Sequence, residues 1–154
     1  MKVAVFPGSF DPFTQAHKDL VDRGLKLFDK IYIAIGVNSA KKGLMEFETR
    51  KLAITELYKD ESKVIVDTFT GLTINYCKSV KAQFILRGLR NSNDLVFEDA
   101  IAQNNLILAP EIETYFLLAR TGLAHISSTI VRDILSNGGS VDTLVPAEVL
   151  KHIK

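Results

Sequence analysis

The run from Ile31 to Ile35 in "KIYIAIGV" is unbroken by any polar side chain, and it is the feature that most restricts the fold. Successive strand residues point to opposite faces, so a continuously apolar strand must be covered on both sides. "KVAVF" (2–6), "KVIVDTF" (63–69), "QFILRG" (83–88) and "IETYFLLA" (112–119) read as four further strands of this kind. Between them the apolar spacing turns helical. Ala16, Leu20, Val21, Gly24, Leu25 and Phe28 follow the first strand. "FETRKLAITELY" (47–58) follows the second, "LTINYCKSV" (72–80) the third and "DLVFEDAIAQNNLIL" (94–108) the fourth. After the fifth, Ser127 or Ser128 caps "STIVRDIL" (128–135), Asn137-Gly138-Gly139 ends it, and "PAEVLKHI" (146–153) carries Pro146 in its first turn. Strand and helix alternate, which predicts an α/β fold: five parallel strands with helices on both faces.

The 154 residues suffice for one domain, expected to span 1–154. With 47% hydrophobic and 24% charged residues the chain reads as globular and soluble. A formal net charge of +1 excludes a strongly basic footprint, so no nucleic-acid partner is expected. Cys77 alone supports neither a disulfide nor a thiolate metal site, which fits a cytoplasmic location. Val3–Phe6 is too short for a signal peptide and Ile31–Val37 too short for a membrane span, so no membrane partner is expected. The sequence shows neither internal repeats nor low complexity.

In parallel sheets ligands bind beyond the carboxyl ends of the strands, and the chemistry-bearing residues fall there. After the first strand, "PGSFDPFTQAH" offers Gly8, Ser9 and a helix start at Thr14, the expected N-cap, with His17 near the third helical position. An isolated histidine there reads as a solvated side chain of little consequence to stability, and a capping box favours Glu or Gln instead. Beside free helix N–H groups, a glycine turn and the Ser9 hydroxyl, it reads as part of an anion site in which a neutral imidazole donates to a phosphate oxygen. "NSAKKG" brings Lys41 and Lys42 after the second strand, and "TGLT" brings Gly71 and Thr73 after the third, each alone a weak signal. "RGLRNSNDLVFED" places Arg87 and Arg90 after the fourth, either for bidentate phosphate contacts or for ion pairs with Asp94, Glu98 or Asp99. Ser127, Ser128 and Thr129 give three hydroxyls where one caps, which points to an additional anion or nucleotide contact. The sequence carries no Walker loop, no G-x-G-x-x-G and no G-x-S-x-G elbow, and His17, His125 and His152 lack metal-site spacing. A phosphate pocket without a protein nucleophile would work by positioning and charge stabilisation.

"PGSFDPFTQAH", "KK" (41–42), "RGLRNSNDLVFE" (87–98) and "ISST" (126–129) together resemble the nucleotidyltransferase superfamily with the T/H-x-G-H signature. Within it they resemble the bacterial phosphopantetheine adenylyltransferases, over essentially the whole chain. The resemblance implies a single Rossmann-like domain. It also implies a reaction in which ATP and 4′-phosphopantetheine give dephospho-coenzyme A and pyrophosphate, by in-line attack without a covalent enzyme intermediate. Carried over by position, His17 stabilises the transition state. Ser9, Phe10, His17, Gly88, Leu89, Arg90 and Glu98, with Leu123, Ala124, His125, Ile126, Ser127, Ser128 and Thr129, surround ATP. Ser9, Lys41, Thr73 and Arg87 contact the acceptor. Magnesium (Mg2+) is implied, held through the ATP phosphates, as are a homohexamer and competition by coenzyme A. Ser9 stands where the family has Thr, Ala16 where the signature has Gly, and "ARTGLAHISS" lacks the usual proline and an aromatic before "ISS". Two alternatives stay open on the residues: a different phosphorylated acceptor, or a nucleotide-binding domain without turnover.

Overall fold

The computed structural model describes residues 1–40 and 43–153. Lys41, Lys42 and Lys154 lie outside them. Five parallel strands form one sheet in the order β3-β2-β1-β4-β5: β1 (Val3–Gly8), β2 (Lys30–Gly36), β3 (Val64–Phe69), β4 (Phe84–Leu89) and β5 (Glu113–Leu118). The helices are α1 (Gln15–Gly24), α2 (Phe47–Leu57), α3 (Thr73–Ser79), α4 (Ser92–Leu108), α5 (Ser128–Ser136) and α6 (Ala147–Leu150). The expected single α/β domain is therefore observed.

Alternate residues of the central strands feed two cores. Ala4, Phe6, Ile31, Ile33, Ile35 and Leu86 pack against Leu20 and Val21 of α1, Ile54 of α2, Val131 of α5 and Val149 of α6. Val3, Val5, Ala34 and Ile85 pack on the other face against Ile74, Tyr76 and Cys77 of α3 and against Ala109 and Ile112. Burial pushes the Cys77 thiol up to about 11, in keeping with a packing role. The edge strands β3 and β5 depart from the continuously buried pattern: Ile65 of β3 and Glu113, Tyr115 and Leu118 of β5 are exposed. The last helix is also shorter than its sequence pattern, ending at Leu150.

One irregularity opens the site. β1 pairs with β2 along its whole length, from Val3–Lys30 to Gly8–Ile35. With β4 it pairs only at Ala4–Phe84 and Val5–Ile85. Beyond that level the two strands diverge, at the point where the strand order reverses. Pro7 sits in a central strand because of this divergence. A residue's N–H and C=O point to the same side of its strand, and the Pro7 carbonyl accepts from Arg87 on the β4 side. Its missing N–H therefore costs no ladder bond.

Candidate active site at the parted strands

The β1–α1 loop turns over the gap. Thr14 caps α1 with its hydroxyl, which accepts from the His17 N–H at 3.3 Å, and the Thr14 N–H donates to His17 Nδ1 at 2.9 Å. The histidine thus completes a reciprocal capping box of the kind usually built with Glu or Gln, so it is not the solvated side chain that an isolated first-turn histidine would be. With Nδ1 accepting, the neutral ring carries its proton on Nε2. The ring is half-buried among Phe6, Phe10 and Phe13, the Phe10 ring meeting it edge-on at 5.1 Å between centroids. Burial, helped by the Arg87 and Arg90 guanidiniums, lowers its pKa from 6.5 to about 3. His17 is therefore a neutral Nε2–H donor at neutral pH.

Phe10 has a left-handed backbone, φ 49°, costly for a bulky side chain. Its buried ring lies over Gly8, where a Cβ would come within 2.9 Å of Phe10 Cζ. Gly8 is thus a close-approach glycine.

Arg87, from the end of β4, spans the gap. Its Nη1 donates to Pro7 O at 2.7 Å, while Nε and Nη2 form a bidentate pair with the buried Glu98 carboxylate of α4. Arg90 pairs likewise with Asp94, through Nε at 3.0 Å and Nη2 at 3.2 Å, and holds that carboxyl below the usual range. The ion-pair reading of these arginines is observed with Glu98 and Asp94, not with Asp99. It does not exclude the other reading. A guanidinium has five N–H donors, and three hydrogen bonds orient Arg87 while leaving donors for a ligand.

The hydroxyls after β5 have structural partners. Ser127 caps α5, accepting from Ile130 N–H at 3.2 Å; Ser128 Oγ donates to Pro12 O at 2.8 Å; Thr129 accepts from Arg132 Nη2 at 3.2 Å. Ser128 thus fastens α5 to the loop before α1, and Thr129 orients Arg132, which donates to Asp11 O in the same loop.

Two cavities open on either side of the Arg87–Glu98 pair and share Pro7, Gly8, Ser9, Arg87 and Glu98 as a common wall. The larger, about 320 Å³, contains Ser9, Phe10, His17, Gly88, Leu89, Arg90, Glu98, Leu123, Ile126, Ser127 and Ser128. Ala124, His125 and Thr129 are exposed and do not line it. The smaller, about 260 Å³, contains Ser9, Arg87 and Thr73, with Asn105 and the apolar Phe69, Ile101 and Ala102. Thr73 is the first residue of α3, with Leu72 at the N-cap position and no side-chain capping bond there. Lys41 lies outside the described residues. The sequence missed Asn105 and Arg132, a half-buried amide and a half-buried cation on the cavity walls. Both sit on helices among ordinary surface residues, and only the tertiary fold turns them inward.

Residues 5–134 match the family described as cytidylyltransferase-like. The chain is 54% identical to phosphopantetheine adenylyltransferase of Christiangramia forsetii over 98% of this chain and 99% of that one. The Flavobacterium johnsoniae enzyme of the same name is also 54% identical, with 97% of each chain covered. The chain belongs to the phosphopantetheine adenylyltransferase family. Solved structures extend the likeness in fold. A protein from Vibrio parahaemolyticus, provisionally named nicotinate-nucleotide adenylyltransferase, superposes with a TM-score of 0.73 at 18% identity, over 99% of both chains. A bifunctional NMN adenylyltransferase/ADP ribose pyrophosphatase from Francisella tularensis, complexed with AMP and a manganese ion, gives 0.65 at 20% identity, over 91% of this chain and 43% of that one.

Proposed function

We propose that the chain transfers the adenylyl group of ATP to 4′-phosphopantetheine, giving dephospho-coenzyme A and pyrophosphate in coenzyme A synthesis. The observation that carries this reading is the pair of cavities with one shared wall. ATP occupies the larger, where the α1 start, His17, Arg90 and the α5 start converge. The acceptor occupies the smaller, its phosphate toward Ser9 and Arg87 and its amide tail along Thr73, Asn105 and the apolar wall. Lys41 joins the acceptor phosphate on the strength of the family resemblance.

Two phosphates then meet at the wall. An oxygen of the acceptor phosphate attacks the α-phosphorus in line, a new P–O bond forms, and the bond to the β-phosphate oxygen breaks to release pyrophosphate. Covalent intermediates on the enzyme are not needed, because the cavities bring the reactants together directly. The Nε2–H of neutral His17 donates to the oxygen on which charge builds, with no imidazolium opposing the helix dipole. Arg87 and Arg90, held by their carboxylates, present their remaining N–H donors.

The residues fit a magnesium ion carried in on the triphosphate. Glu98 and Asp94 face Arg87 and Arg90, so the triphosphate itself would supply most of the ion's oxygen ligands. When bound, the ion neutralises triphosphate charge. Coenzyme A, which shares the acceptor tail, competes for the smaller cavity.

A homo-oligomer, a hexamer by family resemblance, is supported by α4. Val96 (75% exposed), Phe97 (68%) and Ile107 (79%), with Ile101 and Leu108, leave an apolar side uncovered. A cytoplasmic location is supported by the single buried thiol of Cys77.

With ATP and magnesium, purified protein should release pyrophosphate only when phosphopantetheine is added, and nicotinamide mononucleotide should not substitute. Turnover of nicotinamide mononucleotide with none of phosphopantetheine would overturn the acceptor. Tight ATP binding with no turnover of any acceptor would overturn the enzyme reading.

A further inference from the structure

Arg50 of α2 lines neither cavity, yet it is 4% exposed and tied to the β1–α1 loop that builds both. Its Nη1 donates to Ser9 O at 3.0 Å and its Nη2 faces Asp11 Oδ2 at 3.3 Å. Its Nε donates to Met45 O at 2.9 Å, and Phe47 packs under the guanidinium at 4.3 Å. Asp11, 5% exposed, also accepts from the N–H groups of Leu44 and Met45, each at 2.8 Å, and Arg132 Nη1 donates to its carbonyl at 2.8 Å. Gly43 lies so close that a Cβ there would meet Asp11 Oδ2 at 2.2 Å and Arg50 Nη2 at 2.3 Å. Apolar residues of similar volume can often replace a buried ion pair without loss of stability, so burial alone does not account for this one. Its geometry has another use. Ser9 and Asp11 flank Phe10, the one residue of the loop with a left-handed backbone. Two prongs of one planar guanidinium therefore grip the chain on both sides of the strained residue whose ring sets the His17 imidazole.

We propose that Arg50 is a positioning residue for adenylyl transfer: it staples Ser9 and Asp11 together across Phe10, and so fixes the surface on which the His17 ring rests. The proposal rests on the reaction put forward above. Strain at φ 49° relaxes unless its surroundings hold it. An unpinned Phe10 ring leaves His17 free to tilt, and a small misplacement of a donor to the transition state lowers rate without weakening ground-state binding.

Arg50→Lys keeps the charge, but an ammonium cannot reach Ser9 O, Met45 O and Asp11 together. The test compares native protein and Arg50→Lys in two measurements: steady-state pyrophosphate release, and NMR of the His17 ring nitrogens. The variant should lose about tenfold to a hundredfold in kcat, with KM for ATP and for phosphopantetheine each within about twofold of native. In native protein the ring should hold its proton on Nε2 and not titrate between about pH 5 and 8. In the variant it should show mixed tautomers and titrate within that range. Asp11→Asn, which removes the charge Arg50 grips, should give the same signature if Arg50→Lys does not fold. Native kcat in a folded variant overturns the proposal, as does a raised KM with an unchanged His17 spectrum. Failure of both variants to fold would assign the pair to stability alone and overturn it too. If native protein shows no turnover, the reaction is wrong, and the His17 spectra still decide the staple.

Discussion

A histidine that caps its own helix is locked and activated by the same hydrogen bond. Thr14 N–H occupies Nδ1, so the proton sits on Nε2, and burial keeps the ring neutral. His17→Ala should therefore do two things. It should lower kcat by about a hundredfold, the cost of one preorganised donor, and lose about 1 kcal/mol of stability with the capping box, read by denaturant unfolding. The lowered pKa has a sign. Between 6.5 and about 3 the unfolded chain protonates this histidine while the folded chain does not, so His17 weakens the fold as pH falls through 6.5, and the loss levels off near 3. The unfolding midpoint of His17→Asn should fall less than that of native protein between about pH 7 and pH 4.5. Equal falls would mean that the ring is not kept neutral by the fold. Thr14 as N-cap is legible in "FTQAH". The capping role of His17 is not, because it depends on a ring buried by Phe6 from β1 and by Phe10 in a backbone that no local rule assigns to phenylalanine. Arg50 is less legible still. Its partners Asp11 and Ser9 lie 39 and 41 residues away, and within "FETRKLAITEL" it looks like any solvated helix charge.

At the scale of elements, α1 is placed by a glycine of β4. A Cβ at Gly88 would lie 2.4 Å from Leu20 Cδ1, so the helix that carries His17 sits as near β4 as a bare Cα allows. Gly88→Ala should push α1 outward and destabilise by about 1–3 kcal/mol, as overpacking does. Adding Leu20→Ala should recover part of the loss, because the new methyl then has room. Thermal or denaturant unfolding of the four proteins in a double-mutant cycle measures that coupling, and simple additivity would remove Leu20 as the cause. The strands that pack on both faces were legible as apolar runs, since "KVAVF" and "KIYIAIGV" leave a parallel interior strand little alternative. The departure of β1 from β4 after Val5 and Ile85 was not. Register between strands about eighty residues apart is a tertiary outcome, and Pro7 is its one local sign.

For the whole molecule, the proposal of a homo-oligomer turns on the apolar side of α4. Only Glu98 and Ala102 of its seventeen residues are buried, whereas Val96, Phe97, Ile101, Ile107 and Leu108 face outward. Phe97→Glu should convert the native oligomer to smaller species in light scattering coupled to size exclusion, while leaving the far-ultraviolet dichroism of each chain unchanged. An unaltered mass would remove α4 from the interface.

The brief seam between β1 and β4 also bears on how the chain is made. Translation delivers β1, β2 and β3 by Phe69, and these three are already neighbours in the final sheet. The growing chain therefore carries three of its five strands before β4 has been made, with one flank of β1 waiting. A long waiting edge invites pairing with another nascent chain. On the flank that β4 later joins, the outward backbone groups are those of Val3, Val5 and Pro7, and Pro7 has no N–H to offer. The same parting of β1 and β4 that opens the candidate site thus gives a neighbouring polypeptide on the same messenger little edge to join.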